Sequence, residues 1–202
     1  MSHSNNSVIW DSFKKGDWDA YTTLYNEHFG LLNNYGYKFT RDVSLIEDSV
    51  HDLFVRLWAT RQNLGNPVSV KHYLFKSLRH ILLRKIQKTA RFSERLHEDY
   101  YQFQVSFAQH PPATIEDREL QQQVRCIIDN LPARQQEIIY LRFYEGLSYD
   151  EIADIMSISV GSTYKLLYKA LHNLQATMGS SLIVSLLYLH QCLGQRNVVA
   201  HA

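Results

Sequence analysis

The feature that most constrains the fold is a pair of short helices with strong start signals inside residues 131–174. Ser148 and Glu151 have the spacing of a capping box, which predicts a helix that begins directly after the serine. Residues 157–159 interrupt that helix, and Ser159 is a suitable N-cap for a second one. Apolar residues follow one side of the second helix, while its other side is polar and basic. Such a helix can pack on a neighbour and lie in a DNA major groove, so the segment predicts a helix-turn-helix.

A further helix is predicted just before this pair. Pro132 suits a first helical turn, Ile138 and Leu141 belong to an apolar side, and Gly146 is a plausible left-handed cap. A small helical bundle with a solvated polar face is the plainer interpretation of the same pattern. The tight turn, the two caps and the polar outer face together favour DNA binding.

The rest of the chain predicts an all-α protein of two small helical domains joined by a linker. Helices are expected over residues 18–40, 44–61 and 70–89, with a loop at 65–67. The domain limits are expected at 1–91 for an N-terminal helical domain, 92–118 for the linker, 119–176 for the helix-turn-helix domain and 177–202 for an apolar C-terminal extension. The apolar run of that extension is too short to span a bilayer, so we expect an extra docked helix there.

The formal net charge of +1 conceals a strong local asymmetry. Residues 1–58 hold five Lys or Arg and eight Asp or Glu, a net charge of −3. Residues 61–95 hold nine Lys or Arg and one acid, a net charge of +8. The basic block should therefore face a polyanion, whereas the acidic block before it should face a different partner.

Composition gives no support for an enzyme, a metal site or a cofactor. The two cysteines, Cys126 and Cys192, lie in apolar patterns and fit buried thiols in a reducing cytosol. No paired-cysteine or metalloprotease motif is present, and no constellation of nucleophile and base appears. The N-terminal residues lack the pattern of a signal peptide, so we expect a cytoplasmic protein without membrane insertion of its own.

Three motifs together resemble a known family. The pattern L-P-x-x-x-x-x-I-x-x-L-R-F-x-E-G-L-S-Y-x-E-I-A, followed by I-S-V-G-S, resembles the promoter-binding C-terminal region of bacterial RNA polymerase sigma factors. I-E-D-S-V-H-D-L-F-V-R-L-W is similar to their clamp-binding helix, and V-K-H-Y-L-F-K-S-L-R-H-I-L-L-R-K-I to their strand-melting region. The two-domain layout is similar to the extracytoplasmic-function (ECF) subfamily, and the resemblance covers residues 18–174.

The resemblance implies three sets of contact residues. The polymerase clamp would be bound by Glu47, Asp48, Asp52 and Arg56. The minus-ten strand would be held by Tyr73, Lys76, Arg79, His80 and Arg84, with Phe75 as a second candidate ring and the loop 61–69 covering an extruded base. The minus-thirty-five element would be read by Ser162, Tyr164, Lys165, Tyr168 and Lys169.

The resemblance implies core RNA polymerase, promoter DNA and an anti-sigma protein as partners. The helix-turn-helix domain is only weakly basic, with seven acids and five Lys or Arg over residues 119–175, so polymerase would have to hold it at the promoter. Two alternatives stay open at this point. One is a helix-turn-helix regulator that dimerises and acts without polymerase; the other is a sigma-like interaction protein that no longer binds promoters.

Overall fold

The structure is a computed structural model that describes residues 2–92, 103–104 and 127–178. It divides into two compact units, Met1–Gln102 and Phe103–Ala202. Every regular element within the described ranges is helical, as the sequence predicts. None of the helices in those ranges is long and apolar enough to cross a membrane.

The N-terminal unit contains four α-helices and one short 3-10 turn in its described part. They are α1 (Ser2–Lys14), α2 (Trp18–Gly36), α3 (Val43–Thr60), the 3-10 turn Arg61–Asn63 and α4 (Val70–Phe92). Helix α2 packs against α1, α3 and α4, and α3 also packs against α4. The side chains enclosed between these helices are mostly apolar and include Leu24, Leu32, Phe54, Leu74 and Leu78.

The starts of α2 and α3 follow from aspartate caps. The carboxylate of Asp17 accepts hydrogen bonds from the N–H groups of Asp19 and Ala20 at 2.9 and 3.3 Å. Asp42 accepts one from the N–H of Leu45 at 3.0 Å. Each carboxylate satisfies donors that have no partner within the helix, and its charge suits the positive end of the helix dipole.

Helix α1 is the main element that the sequence analysis did not predict. Its first residues are polar, and only a few apolar side chains recur at helical spacing. Two of these, Trp10 and Phe13, are among the most deeply buried side chains of the unit. Their rings lie 5.4 Å apart, and Phe13 also faces Tyr21 of α2 at 6.1 Å. Two large aromatic side chains are therefore enough to dock a helix whose periodicity is weak.

Helix α2 ends earlier than the predicted limit of residue 40. Gly36 lies against α3 so closely that a Cβ there would be 2.5 Å from Ile46 Cγ2. Beyond it the chain turns, with the N–H of Phe39 donating to the carbonyl of Gly36 at 2.9 Å. Phe39 is still buried, so it keeps the apolar periodicity that the sequence shows without extending the helix.

The C-terminal unit is built around the predicted helix-turn-helix. Its described elements are α5 (Ala133–Ile139), a π-helical turn (Tyr140–Tyr144), α6 (Tyr149–Met156) and α7 (Val160–Met178). Helix α7 packs against both α5 and α6.

The capping box is confirmed in full: the N–H of Glu151 donates to Ser148 Oγ at 3.3 Å, and Glu151 Oε2 accepts from the N–H of Ser148 at 2.8 Å. The break is confirmed as well, because Ser157 is left-handed at φ 54° and Ser159 Oγ caps the N–H of Ser162 at 3.1 Å.

The segment after α5 differs from the single helix that the sequence predicts. The chain forms a π-helical turn over Tyr140–Tyr144 where the sequence predicts continuous α-helix. Gly146 then adopts φ 69°, as expected for a left-handed cap. The rings of Tyr140 and Tyr144 stack at 5.6 Å inside this turn. Burial raises the pKa of the Tyr140 phenol well above its usual range, so this phenol stays neutral.

Part of the predicted linker belongs to the C-terminal unit. Phe103 is 1% exposed, and its ring lies 5.8 Å from that of Tyr140. The predicted linker 92–118 therefore contains at least one docked residue. Residues 93–102 and 105–118, both cysteines and the extension from residue 179 onward lie outside the described residues.

Candidate polymerase and promoter-DNA interface

The acidic residues of α3 lie on an exposed side of the N-terminal unit. Glu47, Asp48 and Arg56 are exposed, while Leu53 and Leu57 of the same helix are buried. Because these two sets occupy different sides, α3 presents charge outward while its apolar side holds the core. The arrangement leaves Glu47 and Asp48 accessible to a basic partner.

Asp52 has a different environment from the other two acids. Its carboxylate forms an ion pair with Lys85 Nζ of α4 at 2.8 Å, and both side chains are partly exposed. The hydrogen bond and charge of the Lys85 ammonium hold the pKa of the Asp52 carboxyl below its usual range. The pair joins the acidic side of α3 to the basic side of α4, so the two candidate surfaces meet along one edge.

Helix α4 carries an exposed cationic stripe at four-residue spacing. His80, Arg84 and Lys88 are exposed, and Lys76 is half-buried at the start of the stripe. Cations in such a row can follow the phosphates of a nucleic-acid strand. Arg79 departs from the prediction, because it is 7% exposed and lies among the buried residues of the unit. With so little of its surface accessible, Arg79 is left out of the strand contacts proposed below.

The two candidate stacking rings of α4 are placed differently. Phe75 is fully buried, and its ring lies 4.6 Å from that of Tyr35, so this ring packs in the core and is not available for base stacking. Tyr73 is half-buried and keeps part of its ring accessible. It also makes an edge-on contact with the indole of Trp10 at 5.6 Å. Tyr73 is therefore the one of the two that can still meet a base.

The loop 61–69 lies between α3 and α4 and is fixed at several points. Arg61 Nη1 donates to the carbonyl of Trp58 at 2.7 Å, and its guanidinium lies 4.3 Å from the centre of the Trp58 ring. Trp10 Nε1 donates to the carbonyl of Gly65 at 3.0 Å, and Lys14 Nζ donates to Asn66 Oδ1 at 2.8 Å. The loop is thus held to both α3 and α1.

The same loop carries amide side chains that the sequence analysis did not single out. Gln62, Asn63 and Asn66 are all exposed. An amide offers both donors and acceptors, which is the chemistry needed to read the hydrogen-bonding edge of an extruded base. Three amide side chains within six residues are visible in the segment R-Q-N-L-G-N, residues 61–66.

The predicted recognition residues of α7 share one exposed surface. They are Ser162, Tyr164, Lys165, Tyr168 and Lys169, and all five are exposed. Tyr168 is 73% and Tyr164 is 53% exposed, which is unusual for large rings. The opposite side of α7 is packed against the unit, and its residues Thr163, Leu167 and Ala170 are buried. The structure therefore brings the predicted set together on the surface where a major groove could be met.

A stack of side chains supports the start of α7. The rings of Tyr149 and Tyr164 lie parallel within 26° at 4.1 Å, and the guanidinium of Arg142 lies 4.9 Å from the Tyr149 ring. Arg142 Nη1 also donates to the carbonyl of Leu147 at 2.8 Å. Arg142 and Tyr149 were not predicted as functional residues. Their contacts hold the ring plane of Tyr164.

Two helical units, one with adjoining acidic and basic surfaces and one with a helix-turn-helix, define the class of DNA-binding transcription factors. Comparison with known proteins gives the family. The model of sigma-70 region 2 matches residues 24–92, and that of sigma-70 region 4 matches residues 121–174. Together the two models match more than half of the chain. The chain belongs to the sigma-70 family of RNA polymerase sigma factors and has the two-region layout of the ECF subfamily. Proteins of this family bind the polymerase and direct promoter-specific transcription initiation.

Individual relatives agree with this assignment. The chain is 23% identical over 159 residues to the ECF RNA polymerase sigma factor SigE of Mycolicibacterium smegmatis. The alignment covers 78% of this chain but only 60% of that relative. It is 22% identical over 167 residues to the RNA polymerase sigma factor YlaC of Bacillus subtilis, covering 81% of this chain and 94% of that one.

Solved structures share the fold at low identity. The sigma factor RpoE, solved in complex with the anti-sigma factor NepR from Bartonella quintana, superposes with a TM-score of 0.58 at 20% identity. That match covers 79% of this chain and 97% of RpoE. CnrH, solved in complex with the cytosolic domain of CnrY, gives a TM-score of 0.53 at 20% identity, covering 85% of this chain and 95% of CnrH.

Proposed function

We propose that this chain recruits core RNA polymerase through α3 and opens a promoter strand along α4, while α7 reads the upstream element. The observation that carries the proposal is the adjacency of the two charged surfaces, joined by the Asp52–Lys85 pair at 2.8 Å. One small unit can then hold a basic clamp on one side of that edge and a DNA strand on the other. The match to the sigma-70 region 2 model over residues 24–92 supports a sigma-factor role for this unit.

The polymerase contact rests on Glu47 and Asp48 more than on Asp52. The first two carboxylates are exposed, whereas Asp52 already has a cationic neighbour in Lys85. A clamp residue that approached Asp52 would have to displace or share that ammonium. Exposed acids meet a basic surface without this competition and also steer its approach.

The strand contacts are assigned to Tyr73, Lys76, His80 and Arg84, together with the loop 61–69. The cations neutralise phosphates, the Tyr73 ring stacks on a base, and the loop amides meet the edge of an extruded base. The upstream contacts are assigned to the exposed face of α7. Lys165 and Lys169 can donate to guanine in the major groove, and Tyr164 and Tyr168 can contact phosphates or a thymine methyl.

The chain acts as a specificity factor and has no catalytic centre of its own in this proposal, so nucleotide addition belongs to the polymerase. Its site of action is the cytoplasm, where polymerase and promoter DNA are found. No group of His, Cys, Asp and Glu in the described part of the chain is arranged to hold a metal ion.

An anti-sigma protein is the proposed inhibitory partner. Two structural neighbours, the RpoE and CnrH proteins, were solved with such a partner or with a cytosolic domain bound. This chain exposes several large apolar side chains on its N-terminal unit, among them Val8, Trp18 and Val55. Exposed apolar side chains of this size suit a protein partner that covers the factor when polymerase is absent.

The test is binding to core RNA polymerase followed by run-off transcription. Glu47→Lys with Asp48→Lys should abolish co-purification with core polymerase, because two attractive contacts become repulsive. Asp11→Lys with Glu27→Lys is the matched control, since both acids are exposed on other helices of the same unit and the change in net charge is identical. Equal retention of polymerase by both double variants would overturn the assignment of α3. Absence of any promoter-specific transcript from genomic templates would overturn the proposed function itself.

A further inference from the structure

Helix α1 touches both walls of the proposed pocket for an extruded base. Its Trp10 indole donates to the carbonyl of Gly65 in the loop and meets the Tyr73 ring of α4 edge-on at 5.6 Å. One turn further on, Lys14 Nζ donates to Asn66 Oδ1 at 2.8 Å. A single short helix therefore fixes the loop on one side and the stacking ring on the other.

The anchoring side chain is rigid. Trp10 is 2% exposed and its ring is held against Phe13 at 5.4 Å. An enclosed indole has few rotamers to lose, so its N–H holds the Gly65 carbonyl at a defined place. Lys14 adds a second anchor four residues later on the same side of the helix.

The loop itself supplies little packing of its own. Gln62, Asn63, Gly65 and Asn66 are exposed, and Val68 is 97% exposed. An exposed loop without buried side chains takes its conformation from hydrogen bonds to neighbouring elements. The hydrogen bonds from α1 reach its central residues, Gly65 and Asn66.

We propose that α1 is a positioning element for base selection, in which Trp10 and Lys14 hold the loop 61–69 at a fixed distance from Tyr73. This inference rests on the proposed role of the loop in covering an extruded base. Helix α1 lies outside the residues matched by the region 2 model, which begins at residue 24. The role is therefore assigned to residues that the region 2 model does not match.

The experiment measures base preference with the full-length protein and core RNA polymerase. The probe is a pool of duplex promoters randomised across the minus-ten element, and the transcripts are sequenced. Trp10→Phe keeps an aromatic ring against Phe13 and Tyr73 but removes the N–H donor. Lys14→Ala removes the surface anchor. Each should flatten the preference at one base position by roughly two- to tenfold, the range expected for one lost hydrogen bond.

Two matched controls separate positioning from general effects. Lys15→Ala removes the same charge from the neighbouring exposed position, and Trp18→Phe makes the same change at an exposed tryptophan. Both should leave the base profile unchanged. Thermal unfolding and polymerase binding should be the same for Lys14→Ala and Lys15→Ala. The base profile of the double variant Lys14→Ala with Asn66→Ala should be no flatter than the profile of Asn66→Ala alone. Both substitutions break the same hydrogen bond, so their effects should not add.

The outcomes separate this inference from the proposed function. If Gln62→Ala or Asn63→Ala flattens the profile while Trp10→Phe and Lys14→Ala do not, α1 has no positioning role and the loop assignment stands. If the loop substitutions themselves change nothing while transcription persists, the loop does not select a base and the inference fails with it. Equal flattening by Lys14→Ala and Lys15→Ala would show an effect of charge alone and would also overturn the inference.

Discussion

The two helices proposed to contact DNA, α4 and α7, differ in how they can hold it. Helix α4 carries seven Lys or Arg residues and no acid, whereas α7 carries two lysines and no acid. Helix α7 instead exposes two tyrosine rings and two lysines on one surface. A row of cations binds a phosphate backbone, while a few directional groups on a fixed surface read base edges. The comparison suggests that α4 supplies affinity and α7 supplies sequence preference.

The largest effect should come from removing cations of α4. Lys76→Ala with Arg84→Ala should weaken open-complex formation on all minus-ten sequences alike, by about 3 kcal/mol if both form charge-assisted bonds to phosphate. The slope of log affinity against log salt should fall by about 1.4 for two contacts to a single strand. Permanganate footprinting at several salt concentrations measures both quantities.

Lys15→Ala with Arg41→Ala is the control, since both residues are exposed on the same unit outside α4. A loss confined to particular sequences would contradict the division between the helices, because it would make α4 a reader of bases. An unchanged salt slope would remove the phosphate contacts altogether.

Substitutions in α7 should have a smaller and more selective effect. Lys165→Ala or Lys169→Ala should cost about 1–3 kcal/mol at one base pair of the upstream element if that lysine pairs with guanine. A panel of promoters with single changes in that element measures the preference. Arg134→Ala, an exposed cation of α5, is the control for net charge. If both lysine variants weakened every promoter equally, α7 would be a backbone-binding helix like α4.

The same two regions show how far sequence reasoning reaches. The caps of α6 and α7 are predictable because Ser148, Glu151 and Ser159 bond to groups three residues away. Bonds over so short a separation can be recognised from the spacing of residue types in the sequence. Burial in α4 was less predictable. Arg79 lies one turn from Phe75 and from Leu82 on the apolar side of α4, whereas Arg84 is exposed, and the degree to which Arg79 is enclosed depends on the packing of other helices. The pairing of Asp52 with Lys85 likewise depends on two helices meeting.

Helix α1 marks the practical limit of pattern reasoning. Its docking depends on Trp10 and Phe13, whose partners lie on α2, α4 and the loop 61–69. Nothing in the spacing of residues 2–14 alone indicates those partners. Long-range contacts of one or two large side chains leave a weak periodic signal even when they are central to the core.

The smallest of the expected effects concerns the stack under α7. Tyr149→Ala should remove the ring on which Tyr164 lies at 4.1 Å and should weaken discrimination at the upstream element by about 0.5–1.5 kcal/mol, the range for an aromatic pair. Tyr149→Phe keeps the ring and should leave discrimination unchanged. The promoter panel used for the lysines measures this, with thermal unfolding as a check on folding. Because Tyr149 acts only through Tyr164 in this interpretation, Tyr149→Ala should add nothing to Tyr164→Ala. Full additivity of the two would mean that Tyr149 contacts DNA directly, and α6 would then share the reading role assigned to α7.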